Sequence, residues 1–110
     1  MNKVLTLIGC LLLSFQVYAS GSVVINGKEV KSKEDLHLRL SKELKFPIYY
    51  GHNLDALYDV LSTDYSGESQ IRIRFVEILK NKLGANYTEA FIQTIIDAAV
   101  VNSRIILILE

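Results

Sequence analysis

Tyr49-Tyr50-Gly51-His52-Asn53-Leu54-Asp55-Ala56-Leu57-Tyr58-Asp59-Val60-Leu61 is the stretch around which the chain is organised. Asn53 is a good helix N-cap, its side-chain oxygen able to accept from an orphan backbone N–H one turn in. Leu54, Leu57, Tyr58 and Leu61 then recur at helical spacing, which predicts a helix over 53–62 with that stripe facing a core. At about 100° per residue, Asp55 and Asp59 fall within roughly 40° of each other on the flank bordering the stripe, with Ser62 beside them. No Lys or Arg lies in the segment. Like charges four residues apart destabilise a helix by about 0.2–0.5 kcal/mol, so stability alone gives no reason for the pair. The helix dipole favours an acid in a first turn and so accounts for Asp55; Asp59 has no such reason. The pattern points to a cation outside the chain.

Upstream, Ser22-Val23-Val24-Ile25 is a β-branched apolar run closed by the turn signal Asn26-Gly27, which predicts a strand over 22–25. Ser32 and Asp35 approximate a capping box, and Leu36, Leu40 and Leu44 recur at helical spacing, giving a first helix over 33–44 with His37 near its solvent side. Pro47 and Gly51 make 45–52 a loop, Gly51 being free to take a positive φ. Of Tyr49 and Tyr50, one ring is expected to pack inward and the other to stay exposed as a contact residue.

Downstream, Thr63 to Ser69 is a surface loop carrying Tyr65. Gln70 to Phe75 alternates Ile71, Ile73 and Phe75 with Arg72 and Arg74, the pattern of a strand with one polar face, expected at the sheet edge. Val76, Leu79 and Leu83 suit a short helix ended by Gly84 in a left-handed cap. Asn86 and Glu89 suggest a second capping box, opening a helix over 87–101 with a wide apolar face. Asp97 lies in its second half, where the dipole disfavours an acid; pairing with Arg72, Arg74 or Arg104 is the structural alternative to a contact role. Ile105 to Leu109 is continuously apolar and reads as the central strand of a parallel sheet. The order strand, helix, helix, strand, helix, helix, strand makes an α/β fold with a small three-stranded parallel sheet and about four helices.

The composition bounds the function. Of 110 residues, 12 are basic and 12 acidic, a formal charge of zero with no basic run, which argues against nucleic-acid binding through bulk phosphate neutralisation. Residues 1–19 read as a secretory signal: Asn2 and Lys3, an apolar core from Val4 to Val17, and the site Val17-Tyr18-Ala19. The apolar run is shorter than the roughly 20 residues that a spanning helix needs. Lipidation at Cys10, within Leu7-Ile8-Gly9-Cys10, is the alternative, although the sequence stays apolar after the Cys. Cleavage after Ala19 would leave residues 20–110 as one domain without cysteine and take the formal charge to −1. The expected location is periplasmic or secreted, with no membrane association after cleavage. His52, Asp55 and Asp59 could hold a hard cation or serve acid–base chemistry, but no further ligands, Gly-rich phosphate loop or nucleophile motif accompany them. The expectation is therefore no enzyme, no metal and no cofactor.

Val24-Ile25-Asn26-Gly27, Asp35-Leu36-His37, Lys42-Glu43-Leu44, Pro47, Tyr49-Tyr50-Gly51, Asn53-Leu54-Asp55-Ala56-Leu57, Asp59 and the apolar last strand together resemble the barstar family of ribonuclease inhibitors. The resemblance runs over about 22–110 and implies a three-stranded parallel sheet with helices packed on it. It further implies that the second helix and the preceding loop plug the active site of a barnase-like ribonuclease, carboxylates standing in for RNA phosphates. Asp59 would be the principal phosphate mimic, Asp55 its partner for a second cation, and Tyr49 an aromatic contact. Ser62 and Thr63 would touch the enzyme after the helix, and Asp97 would add an acid from the last helix. Tyr58 stands where the family commonly has Trp, and Asp64 with Tyr65 where it has an aromatic. The free protein is expected to be a monomer. A module of the same fold with a non-nuclease partner is the alternative.

Overall fold

In a computed structural model of the chain, residues 20–64 and 68–110 are described. The signal segment, Cys10 and Tyr65 lie outside the described residues. Strand β1 (Ser20–Asn26) leads to helix α1 (Lys33–Leu44) and helix α2 (Leu54–Asp59), which continues as a π-helical turn over Val60–Asp64. Strand β2 (Glu68–Arg74), helices α3 (Val76–Leu83) and α4 (Ala85–Val101), and strand β3 (Ile105–Leu109) complete the order. The fold is α/β, with a three-stranded parallel sheet in the order β1-β2-β3. Helix α1 is placed as its spacing predicts, and Ser32 Oγ accepts from the Asp35 N–H at 3.0 Å.

The positions of two strands correct the sequence reading. β2, expected at the edge, is central; β3, expected to be central, is an edge strand. The reason is that one face of the sheet is left open among the described residues. Val23, Ile25, Ile71 and Ile73 point into the core, while Val24, Arg72 and Ile108 form an outward row across the three strands. Alternation in β2 therefore reports a wet face, not an edge. The apolar run in β3 is half wasted on that face, where Ile106 is exposed. Arg72 is held there by Glu110 at 2.8 Å. Parallel sheets are usually covered on both faces, and among the described residues this sheet departs from the rule that leads to the expectation.

The turns differ in detail. Gly27 lies so close to the β2–α3 corner that a Cβ would collide with the Phe75 carbonyl oxygen. Phe75 itself takes a left-handed conformation, φ 57° and ψ 51°, where the chain turns from β2 into α3. Gly84 has a positive φ of 94° but a ψ of 140°, so it is not the left-handed cap that was expected. It is the single-residue corner between α3 and α4. Helix α4 starts directly after it at Ala85, placing Asn86 inside the first turn, and no side chain caps this terminus. The Asn86–Glu89 capping box is therefore not formed.

Candidate functional site

Helix α2 is set by its cap. Asn53 is extended, with φ −141° and ψ 171°, and its Oδ1 accepts from the Ala56 N–H at 2.7 Å, while its Nδ2 donates to the Gly51 carbonyl at 3.3 Å. The positive φ expected at Gly51 is taken instead by His52, at 56°. Gly51 sits in a tight space: a Cβ there would stand 3.3 Å from Asn53 Nδ2 and 3.4 Å from Ala56 Cβ, so the cap side chain would have to give by a few tenths of an ångström. Asn53→Ala is expected to lower stability by about 1 kcal/mol through loss of the cap, measured by chemical denaturation. It should also weaken any binding that depends on the orientation of α2.

Leu57, Val60 and Leu61 are buried, and Leu54 and Tyr58 pack against the core. Regular helix ends at Asp59, short of the expected 62, and widens into the π turn. The Val60 N–H is shared between the carbonyls of Ala56 and Leu57. Val60 and Leu61 follow Leu57 at i+3 and i+4 on the same inward face, and Asn102 Nδ2 donates to the Leu61 carbonyl at 2.9 Å. Single π turns recur at functional sites, because they re-aim the side chains that follow.

Asp55 and Asp59 lie on the exposed side of α2. Their carboxylates form no hydrogen bond or ion pair among the described residues. Ser62 Oγ donates to the Tyr58 carbonyl at 2.6 Å, and Thr63 Oγ1 donates to the Asp59 carbonyl. Both hydroxyl hydrogens are thus used within the helical segment. Asp97 is exposed on α4, which packs against α2. It accepts from Gln93 Nε2 at 2.8 Å and pairs with none of Arg72, Arg74 and Arg104.

Tyr50 is the inward ring and Tyr49 the outward one, 68% exposed. Tyr58 is half-buried on the core, which makes it a support for the helix with one edge outward. His52 Nδ1 lies 3.3 Å from Glu34 Oε1, tying the loop to α1. Among the described residues no three His, Cys, Asp or Glu side chains gather as a metal site.

His37 corrects a further expectation. It is 1% exposed, not solvent-facing, and its Nδ1 meets the Tyr50 hydroxyl while its Nε2 meets the Tyr87 hydroxyl at 2.8 Å. Its spacing from Leu40 and Leu44 already put it on their face, a signal outweighed by its polarity. Burial raises the pKa of both tyrosine hydroxyls, far so at Tyr50, and they keep their protons. One imidazole nitrogen donates and the other accepts. Burial, aided by the nearby His52 and opposed by Glu34, lowers the His37 pKa and favours that neutral ring. The loop ahead of α2 is thus anchored from beneath.

The family model described as Barstar (barnase inhibitor) matches residues 21–105. A protein of Bacillus subtilis (strain 168) named "Putative ribonuclease inhibitor YrdF" is 48% identical over 40 residues, which is 36% of this chain and 44% of that protein. The chain thus matches less than half the length of this curated relative. The family match extends over most of the sequence, from β1 through the acidic helix to the first residue of β3, and on that ground the chain belongs to the barstar family of barnase inhibitors.

Proposed function

We propose that the protein inhibits a barnase-like ribonuclease by laying α2 into the enzyme's phosphate-binding cleft. The observation that carries this reading is the pair of exposed carboxylates, Asp55 and Asp59, on one face of a capped helix, with no ion pair to a cation among the described residues. A nuclease cleft built to hold phosphates presents clustered Arg, Lys and His donors. Carboxylates pair with such donors in short, charge-assisted hydrogen bonds. Because the helix is already formed and anchored, little conformational entropy is lost on binding.

Asp59 is the central phosphate mimic and Asp55 meets a second cation. Tyr49 and the free edge of Tyr58 supply aromatic contact, the Ser62 and Thr63 oxygens accept from the enzyme rim, and Asp97 extends the acidic surface from α4. The protein is a binder and not a catalyst, monomeric when free. The signal-like character of residues 1–19 supports a periplasmic or secreted site of action, against a ribonuclease encountered there.

Titration of the protein into barnase, with RNA cleavage as the readout, tests the reading. Loss of activity saturating at one equivalent is expected, with association slowing steeply as salt rises. Full activity at excess protein removes barnase as a target.

A further inference from the structure

The turn ahead of α2 places apolar side chains where turns ordinarily place polar ones. The Tyr50 N–H donates to the Pro47 carbonyl at 3.0 Å, closing a four-residue turn with Ile48 and Tyr49 at its corners. Such corners favour Gly, Asn, Asp and Ser. Here Ile48 is 102% exposed, beside the outward ring of Tyr49. A single exposed isoleucine would call for no explanation. This one is held out by its surroundings. Phe46 and Tyr50, flanking the turn, are both buried, with ring centroids 4.9 Å apart edge to face, and the Tyr50 hydroxyl is bonded to His37. Pro47 fixes its own φ and restricts Phe46.

The clamped turn is also joined to the acidic helix. Gly51, one residue past the turn, accepts from the cap Asn53 and has contact-tight space above it. The apolar corner and the Asp55–Asp59 face therefore keep a fixed relation. A local preference overridden by the surrounding structure is expected at functional or strained sites, and neither Ile48 nor Tyr49 has a positive φ.

We propose that Ile48 is a partner contact: with Tyr49 it forms an apolar edge of the inhibitory face, and the ribonuclease it fits carries an apolar depression beside its cationic phosphate cluster. The inference rests on the inhibitor reading and adds an uncharged recognition element to it. The acids govern encounter and orientation, whereas burial of Ile48 governs how long the complex lasts.

Stopped-flow association and dissociation with barnase, using the protein and its Ile48→Ala and Ile48→Asp variants, tests this. Ile48→Ala is expected to raise koff about ten- to a hundred-fold, the equivalent of losing most of one buried aliphatic side chain. Its kon, the salt dependence of kon and its melting temperature should match the parent. Ile48→Asp should bind more weakly still, despite its added negative charge. An unchanged koff for Ile48→Ala, or an Ile48→Asp variant that binds as well as the parent, overturns the proposal while leaving the inhibitor reading intact. A parent that sediments as a dimer and an Ile48→Asp variant that sediments as a monomer would instead make the turn a contact between copies and also overturn it. A parent that does not bind barnase removes both readings together.

Discussion

Asp59→Ala is expected to weaken the complex with barnase by at least 2–5 kcal/mol, the range for truncating one partner of a buried charge pair, drawn in part from the barnase–barstar complex itself. Its folding stability should stay within ~1 kcal/mol of the parent. The two halves of this prediction have separate causes. Asp59 is exposed at the last regular residue of α2, four residues from the like charge of Asp55. Its removal relieves that repulsion. The hydrogen bond at this position is made by its backbone carbonyl, accepting from Thr63, and survives the change. In a complex, the same substitution would leave a desolvated enzyme cation without its anion. Calorimetric titration together with thermal unfolding separates the effects, and an affinity equal to the parent's would refute the role given to Asp59.

The other large effect concerns His37. Because burial lowers its pKa in the folded protein, the unfolded chain binds the proton more readily. Between the ordinary histidine value of ~6.5 and the lower folded value, the unfolded state carries more protons, so stability rises with pH. The stabilisation is full above ~6.5 and is lost as pH falls through the folded pKa, at a slope of up to about 1.4 kcal/mol per pH unit. Protonation would give the ring two donors facing two tyrosine hydroxyls, with the cation enclosed. His37→Gln is expected to flatten this slope and to lower stability at pH 7.5 by about 1–3 kcal/mol, since at least one buried hydroxyl loses good geometry. Denaturant midpoints from pH 5 to 8 read both effects; a slope unchanged in His37→Gln would assign the titration to other groups. Through Tyr50 the same cluster holds the turn that presents Ile48 and Tyr49, so stability and recognition meet at one buried imidazole.

Much of the architecture was legible because it is local. The Ser32 cap, the leucine stripe of α1, the Asn53 cap and the polar flank of α2 each follow from residues within a few positions of one another. Strand order in the sheet was not, since alternation records which face of a strand is wet and says nothing of its neighbours. The open outer face made β2 resemble an edge strand and β3 a central one. His37 was misplaced because its partners, Tyr50 and Tyr87, lie 13 and 50 residues away. The lone polar residue on an apolar face gave the only local warning. Asp55 and Asp59 were visible from charge and spacing alone, whereas Ile48 was hidden within a loop whose turn geometry appears only once Tyr50 is seen to be anchored.

Competition in the active site bears most directly on the claim that α2 occupies a phosphate-binding cleft. Affinity for barnase should be measured at constant ionic strength against increasing concentrations of a 3′-ribonucleotide, a ligand of the kind that fills a ribonuclease phosphate site. Mutually exclusive binding is predicted, with the apparent Kd of the protein rising linearly with nucleotide concentration. A ternary complex, with affinity for the protein unaffected at saturating nucleotide, would contradict the account.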